Sequence, residues 1–163
     1  MSQLTEKVND LYGEKLRVRV CGVCIRGDEI LLVHHEGLNN GNTLWAPPGG
    51  GMQYGESAHE ALKREFREET GLEISIERFL FVHEYLDPPL HGIELFFEVK
   101  VTGGHLQTGT DPEMAETEQL ITETGYKSLV ELKSKAPQSL HFVLQEINDL
   151  KGILNQSGYF KFH

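Results

Sequence analysis

Three glutamates, Glu65, Glu68 and Glu69, are spaced so that a helix would bring their side chains together. At about 100° per residue, positions i, i+3 and i+4 share one arc of a helix surface. That arc overlaps the apolar stripe of the same segment, so the carboxylates would crowd beside a buried edge. Like charges at this spacing repel, and burying them without partners is costly. A hard divalent cation such as Mg²⁺ would resolve both problems, because it prefers oxygen ligands.

The helix that must position these glutamates is bounded by local signals. Ser57 is a good N-cap, and Glu60 three residues later completes a capping box. Gly71 favours the left-handed conformation in which helices commonly end. We therefore predict a helix over residues 58–70, preceded by a glycine-rich loop that lets a ligand approach the main chain.

The same pattern has a simpler interpretation, in which the segment is a capped amphipathic helix with surplus surface acid. Ala58, Leu62 and Phe66 would form its apolar face. Lys63 and Arg67 point elsewhere and fit a solvated face. For the three glutamates alone, this interpretation and the cation interpretation are equally good.

The whole segment over residues 50–72, GGMQYGESAHEALKREFREETGL, resembles the Nudix box. Every defined position of that motif is matched, from Gly50 and Glu56 through Arg64 to the closing glycine and leucine. The resemblance extends over about residues 17–150. It implies a hydrolase that cleaves a nucleoside diphosphate linked to another group, with Mg²⁺ as cofactor and Mn²⁺ as an alternative ion. The full motif therefore favours the cation interpretation.

The matching positions of the motif imply roles for the site residues. Arg64 resembles the arginine that orients a catalytic carboxylate, a task that suits its planar fork. Gly50 and Glu56 would support the site from the loop. The implied metal ligands are the main-chain carbonyl of Gly49 and the side chains of Glu65, Glu68 and Glu69.

The general base is left open by the sequence. Glu65 is one candidate, and many relatives in the family use a base from a loop well after the box. Here a long polar loop spans residues 103–118. We favour Glu118 as the general base, so the expected catalytic residues are Glu65, Arg64 and Glu118, although a solvated loop carboxylate is the simpler interpretation for any single loop glutamate. The candidates in or beside that loop are Glu113, Glu116, Glu118 and Glu123.

The order of strand and helix patterns indicates an α+β class. The resemblance implies a Nudix-type α/β/α sandwich, with a mixed β-sheet between helices. We expect a single Nudix domain over residues 1–163, in which residues 1–15 form an arm or a short helix. The apolar pattern also predicts a strand over 16–25 and a helix over 139–154. Residues 155–163 form an apolar tail that could add an edge strand, pack on a partner chain or be disordered.

Composition excludes several classes of partner. The net charge is −10, which disfavours general binding to nucleic acid or to an anionic membrane, since both require a basic face. No apolar run approaches the length of a membrane span, and the N-terminus has no signal-peptide pattern. We therefore expect a cytoplasmic protein whose partner is a small nucleotide. A homodimer is also expected, because the family often dimerises.

Two cysteines, Cys21 and Cys24, form a C-x-x-C spacing that could indicate a redox pair or half a zinc site. They lie in a predicted strand, where residues three apart face opposite sides. No second C-x-x-C is present to complete a zinc site. We expect reduced, buried thiols.

The sequence narrows the class of substrate but does not identify the compound. Pro88 lies sixteen residues after Leu72, near the position of a proline associated with ADP-ribose hydrolases. ADP-ribose or a nucleotide sugar is therefore favoured, with nucleoside triphosphates next. Arg19 and Arg26 are candidate phosphate contacts whose strand face the pattern does not assign. The alternative function is a noncatalytic nucleotide-binding sensor, although sensors in this family often have a degraded box.

Overall fold

The computed structural model of the chain describes residues 3–37, 42–110, 112, 114 and 119–162. Its α-helices are α1 (Gln3–Tyr12), α2 (Ala58–Thr70) and α3 (Leu129–Lys133). Its strands are β1 (Lys15–Val23), β2 (Ile25–Arg26), β3 (Glu29–Gly37), β4 (Asn42–Ala46), β5 (Gly49–Gly51), β6 (Leu72–Asp87), β7 (Leu90–Gly104), β8 (Ile121–Ser128) and β9 (Gly158–Phe162). Short 3₁₀ turns follow α3 at Pro137–Ser139, Phe142–Leu144 and Leu150–Asn155.

The strands form two sheets. The larger has the order β5-β1-β7-β6-β9 and is mixed, because β1 pairs with β7 and β6 pairs with β9 in parallel, whereas the β1–β5 and β6–β7 pairs are antiparallel. The smaller sheet is antiparallel, with β3 between β4 and β8 and with β2 beside it. The predicted α+β class with a mixed sheet is confirmed.

Helical segments cover both faces of the larger sheet, as the sandwich prediction requires. Val20 on β1 belongs to the apolar cluster that contains Leu62 and Phe66 of α2. Cys21, the next residue, belongs to a second cluster with Leu132 of α3 and with residues of the 3₁₀ turns. This change of face at each residue follows from the period of two in a strand.

The two cysteines follow the same alternation. Cys21 and Cys24 are both free and buried, and they lie in the two different clusters. The prediction of buried thiols is confirmed: Cys21 lies in β1, and Cys24, which directly follows that strand, lies in the cluster on the other face of the sheet.

Helix α2 begins and ends where the local signals predict. The side chain of Ser57 accepts a hydrogen bond from the main-chain N–H of Glu60, and the side chain of Glu60 accepts one from the N–H of Ser57. Gly71 closes the helix in the left-handed conformation with φ 71°. The carbonyls of the last turn then accept bonds from Gln107, Gly109 and Thr110, so the polar loop after β7 is attached to the end of the helix.

Helix α1, which was predicted as an arm or a short helix, packs over a small satellite cluster. Val8 of α1 is buried against Met114 and Leu120, with Leu11 and Tyr12 beside them. The N-terminal helix therefore lies against Met114 of the polar loop and against Leu120, which follows that loop. Among the described residues, no helix combines the length and the apolar character that crossing a bilayer requires.

The prediction of a helix over 139–154 is wrong. The segment instead contains 3₁₀ turns, and the side chains of His141 and Asp149 cap two of them at their first residues. Glu146 has a positive φ of 51°, which is incompatible with a continuing α-helix. Val143 and Leu150 are nevertheless buried in the core, so the apolar pattern reported burial correctly but not helical geometry.

The C-terminal tail forms the predicted edge strand. β9 pairs in parallel with β6, and Phe160 packs against the core cluster on that side of the sheet. The apolar residues of the tail are thus used within the chain, so they do not by themselves require a partner subunit.

Replacing Gly71 by alanine should destabilise the fold, because the residue has a positive φ and an added Cβ would lie 2.5 Å from the carbonyl oxygen of His105. We expect the free energy of unfolding to fall by about 1 kcal/mol or more in urea titrations. Gly125→Ala is the matched control, since an added Cβ there meets no atom within 4 Å. Equal stabilities of the two variants would contradict this account of the helix end.

Candidate active site

A cavity of about 390 Å³ opens at β5, the edge strand of the larger sheet, beside the acidic side chains of α2. Because β5 consists of three glycines, none of its side chains fills this space. Residues of α1, β1, the β6–β7 turn and the helical turns after β8 complete the wall. Such a volume is ordinary for a small-molecule site.

Arg64 joins three glutamates to the glycine strand. Its Nε and Nη2 donate to the two carboxylate oxygens of Glu56 at 3.1 and 2.7 Å. Nη1 donates to Glu65 at 2.8 Å and to Glu68 at 3.1 Å. Nη2 also donates to the carbonyl of Gly51 at 3.0 Å. The five N–H donors of the guanidinium therefore all have acceptors, which holds the group in one orientation.

Glu69 is held apart from this arginine. Its side chain is buried, and its Oε2 accepts a hydrogen bond from the main-chain N–H of Gly49 at 2.9 Å. The other oxygen lies 3.7 Å from Nε2 of His35. The edge strand thus binds the last glutamate of the motif through its main chain.

Gly50 is required by the close approach of Glu65. A Cβ added to Gly50 would lie 2.5 Å from the carboxylate carbon of Glu65, so no larger residue fits without displacing that group. Gly49 is restricted in the same way, because an added Cβ would lie 2.0 Å from the carbonyl oxygen of Val20. The glycine run therefore lets α2 bring its carboxylates against the main chain of the sheet edge.

The local charge changes the chemistry of Glu65. Burial raises its pKa, the neighbouring charge of Glu69 raises it further, and Arg64 only partly opposes them, so the pKa rises to about 7. A carboxyl group with this pKa can exchange a proton near neutral pH.

The structure brings together only part of the predicted catalytic set. Glu65 and Arg64 lie at the cavity, but Glu118 lies outside the described residues, as do Glu113 and Glu116. Glu123 does not line the cavity, and it forms an ion pair with Lys127 at 2.6 Å on β8. The polar loop does reach the site, since Thr110 and Pro112 line the cavity.

A family model described as the NUDIX domain matches residues 15–143. The chain belongs to the NUDIX family. The resemblance inferred from residues 50–72 is therefore confirmed.

Two curated relatives show the range of names in this family. The ADP-ribose pyrophosphatase of Methanocaldococcus jannaschii is 37% identical over 101 residues, which cover 61% of this chain and 59% of that protein. The 8-oxo-dGDP phosphatase of Mus musculus is 32% identical over 140 residues, which cover 82% of this chain and 41% of that protein. The chain thus aligns with less than two thirds of the length of either relative.

A solved structure supports the fold. The MutT NUDIX hydrolase from Burkholderia pseudomallei superposes with a TM-score of 0.63 at 23% identity, covering 88% of this chain and 98% of that one. At this identity the likeness shows the shared fold alone.

The donor set of the Nudix box fits a hard divalent cation. Four carboxylates are present, and Arg64 and the N–H of Gly49 leave most of their negative charge uncompensated. The carboxylate oxygens of the box do not converge on one point: among the described residues, only His83, Glu94 and His141 place three ligand atoms within 4.8 Å of one another. Mutual repulsion and the separate hold of Arg64 and Gly49 account for this separation.

The cavity contains a second polar group, of which the sequence analysis named only Arg19, as a candidate phosphate contact. Glu94 of β7 is buried and is bound by His83 of β6, by His141 after Pro137–Ser139 and by Arg19 of β1. All four residues line the cavity. A further signal in the sequence was the charged residue Glu94 between the apolar residues Ile93 and Leu95 of β7.

The raised pKa of Glu65 predicts a pH-dependent stability of the metal-free protein. The pKa rises from 4.5 to about 7 on folding, so between these values the folded state holds a proton that the unfolded state has released. This contribution to stability is present below pH 4.5 and is lost as the pH rises through about 7. Urea unfolding with chelator, between about pH 5 and pH 8, should show a decline that is smaller in Glu65→Gln. Identical pH profiles of the two proteins would contradict the assignment.

Proposed function

We propose that this Nudix protein is a Mg²⁺-dependent pyrophosphohydrolase acting on a nucleoside diphosphate linked to a second group. The observation that carries the proposal is the set of hydrogen bonds from Arg64, a residue that lines the cavity, to Glu56, Glu65 and Glu68. An amphipathic helix with surplus surface acid would not need an arginine with every donor engaged. These hydrogen bonds hold the carboxylates in place before a cation or substrate arrives.

The reaction class follows from the chemistry of the phosphoanhydride. Water adds to one phosphorus, the bond from that phosphorus to the bridging oxygen breaks, and the products are a nucleoside monophosphate and a second phosphorylated fragment. A bound divalent cation would neutralise the phosphate oxygens and lower the pKa of a bound water. Glu65, Glu68, Glu69 and the carbonyl of Gly49 are the groups we propose to hold it.

The chain must also supply a proton acceptor for the attacking water. Glu65 is the described carboxyl that we propose for this task, because it lines the cavity and Arg64 holds one of its oxygens at 2.8 Å. Glu118 is retained as the alternative base, since the loop that precedes it borders the cavity at Thr110 and Pro112.

ADP-ribose or a nucleotide sugar is the favoured substrate class. One relative is named as an ADP-ribose pyrophosphatase, and the turn containing Pro88 and Pro89 lines the cavity. The other relative is named as an 8-oxo-dGDP phosphatase, so nucleoside di- and triphosphates stay in the comparison. We propose a single Nudix domain that acts on a small nucleotide in the cytoplasm. The homodimer stays a prediction.

A turnover panel tests the proposed function. ADP-ribose, ADP-glucose, a dinucleoside tetraphosphate and an oxidised dGTP are each incubated with the protein in Mg²⁺ and in chelator, and products are separated. We expect chelator-sensitive cleavage of at least one compound. Nucleotide binding without cleavage of any compound, by folded protein that binds Mg²⁺, would overturn the hydrolase proposal in favour of a sensor.

Glu69→Gln should abolish most of the turnover. The amide oxygen can still accept the hydrogen bond from Gly49, so the fold is retained while the negative charge is lost. Removing a residue that only hydrogen-bonds to a metal ligand lowers activity roughly tenfold to a hundredfold. We expect the loss of a metal ligand itself to lower the turnover rate further. Glu77→Gln is the matched control, because Glu77 pairs with Lys100 on the sheet surface away from the cavity. Similar rates for the two variants would exclude Glu69 from the reaction.

A further inference from the structure

One row of paired residues in the larger sheet carries polar side chains on the neighbouring strands β1, β7 and β6. Strand register places Gly51 of β5 opposite Arg19 of β1, Arg19 opposite Glu94 of β7, and Glu94 opposite His83 of β6. Residues paired in this way lie on one face of the sheet. The row therefore runs from the glycine edge, where the Nudix-box carboxylates lie, to the middle of the sheet.

The neighbouring rows show why this row faces the cavity. The next row on the same face, two positions away along each strand, consists of Cys21, Phe96 and Phe81. These three residues are buried in the core. Two residues in the other direction, Gly92 occupies the centre of the row, and its lack of a side chain leaves space in which the aliphatic part of Arg19 lies. The polar row thus forms the boundary between the core and the open cavity.

Glu94 is ionised, and both of its carboxylate oxygens have hydrogen-bond partners. Burial alone would raise its pKa, but hydrogen bonds from His141 at 2.8 Å and His83 at 2.6 Å, together with the charge of Arg19, hold the pKa well below its ordinary value. Arg19 contacts the other oxygen of Glu94 through Nε at 3.3 Å. The carboxylate of Glu94 therefore holds the guanidinium of Arg19 at the wall of the cavity.

Both ring nitrogens of His141 take part in the hydrogen-bond network of this group. Nδ1 of His141 accepts a bond from the main-chain N–H of Val143 at 3.2 Å, so this nitrogen carries no proton. The proton of the neutral ring is then on Nε2, where it is donated to Glu94. A protonated nitrogen has no lone pair for a metal ion, although three ligand atoms lie close together here.

Arg19 is the positively charged side chain of this group, and Glu94 engages only one of its three nitrogens. Its Nε is engaged by Glu94, and its two Nη groups have no hydrogen-bond acceptor among the described residues. The side chain is 30% exposed and lines the cavity. It is also close enough to Glu65 and Glu69 to interact with their charges. Arg64, by contrast, has no donor left for a ligand.

We propose that Arg19 is the receptor for a phosphoryl group of the substrate, and that Glu94 is the residue that positions it. The inference rests on the proposed function, because it assigns the residue that binds a phosphoryl group of the substrate in the same cavity. The Nη edge presents a planar fork that matches two phosphate oxygens. This fork meets the anion from the sheet face while the box carboxylates meet it from the glycine edge.

Arg19→Lys tests the receptor. Lysine keeps a positive charge beside Glu94, so the variant should fold, but it lacks the fork. We expect the affinity for ADP-ribose with Ca²⁺, measured by calorimetry, to fall about tenfold to a hundredfold. Affinity for Mg²⁺ alone should change less than about twofold, since Arg19 binds no cation. Unchanged affinity for ADP-ribose would overturn the proposal.

Arg26→Lys is the matched control. Arg26 lies on β2, is 66% exposed, pairs with Glu29 and does not line the cavity. The same substitution there should leave nucleotide affinity within about twofold. A loss equal to that of Arg19→Lys would show that the effect is not local and would also overturn the proposal.

A double-mutant cycle tests the positioning role of Glu94. If Glu94 acts through Arg19, Glu94→Gln should weaken ADP-ribose binding, and the double variant should bind no more weakly than Arg19→Lys alone. A purely structural role would lower the stability of the double variant and make the two losses of affinity additive. Additive losses would therefore remove Glu94 from the proposal.

Inorganic pyrophosphate and inorganic phosphate separate this inference from the proposed function. Both are titrated with Ca²⁺ into the wild type and into Arg19→Lys, with no turnover required. Weaker pyrophosphate binding by the variant supports the receptor even if the wild type hydrolyses no compound in the panel. A matching loss for phosphate identifies the product as a second ligand of Arg19. Equal pyrophosphate binding by the two proteins would overturn the receptor while leaving hydrolysis untouched.

Discussion

Excess negative charge at a glycine edge is the constraint on which the rest of the site depends. Helix α2 and the loop before it bring four carboxylates to β5, and one guanidinium contacts three of them. Such crowding is tolerated because the glycines expose main-chain N–H groups and leave no side chain in the way, as the bond from Gly49 to Glu69 shows. The helix must then be fixed firmly, and its capping box and the bonds from the loop at Gly109 and Thr110 provide that hold.

The sheet face beside the glycine edge carries an arginine that can meet an anion. A protein with a net charge of −10 can accept an anionic substrate only where local cations and a bound metal ion reverse the field. Arg64 is consumed in holding carboxylates, whereas Arg19 is held by a single buried carboxylate and keeps donors directed at the open space. The two arginines therefore differ in task because they differ in how many acceptors the fold gives them.

Much of the fold was predictable wherever the signal was local. Ser57, Glu60 and Gly71 defined α2 correctly, because a capping box and a left-handed terminus are set by residues close in sequence. The segment over 139–154 was mispredicted because apolar spacing reports which residues are buried, while the main chain there is stabilised by caps at His141 and Asp149. The general base could not be chosen from several equivalent acidic residues in one polar loop, since composition does not say which carboxylate turns inward.

The sequence by itself determined the Nudix box and its helix, since every group that shapes them lies within residues 50–72. Only the tertiary structure decided that Arg19, Glu94 and His83 form one row, because their strands are far apart in the chain and are aligned by register. A shift of one residue would turn each of these side chains to the other face. His141 joins them from a separate turn, so its role depends on packing alone, which no local pattern encodes.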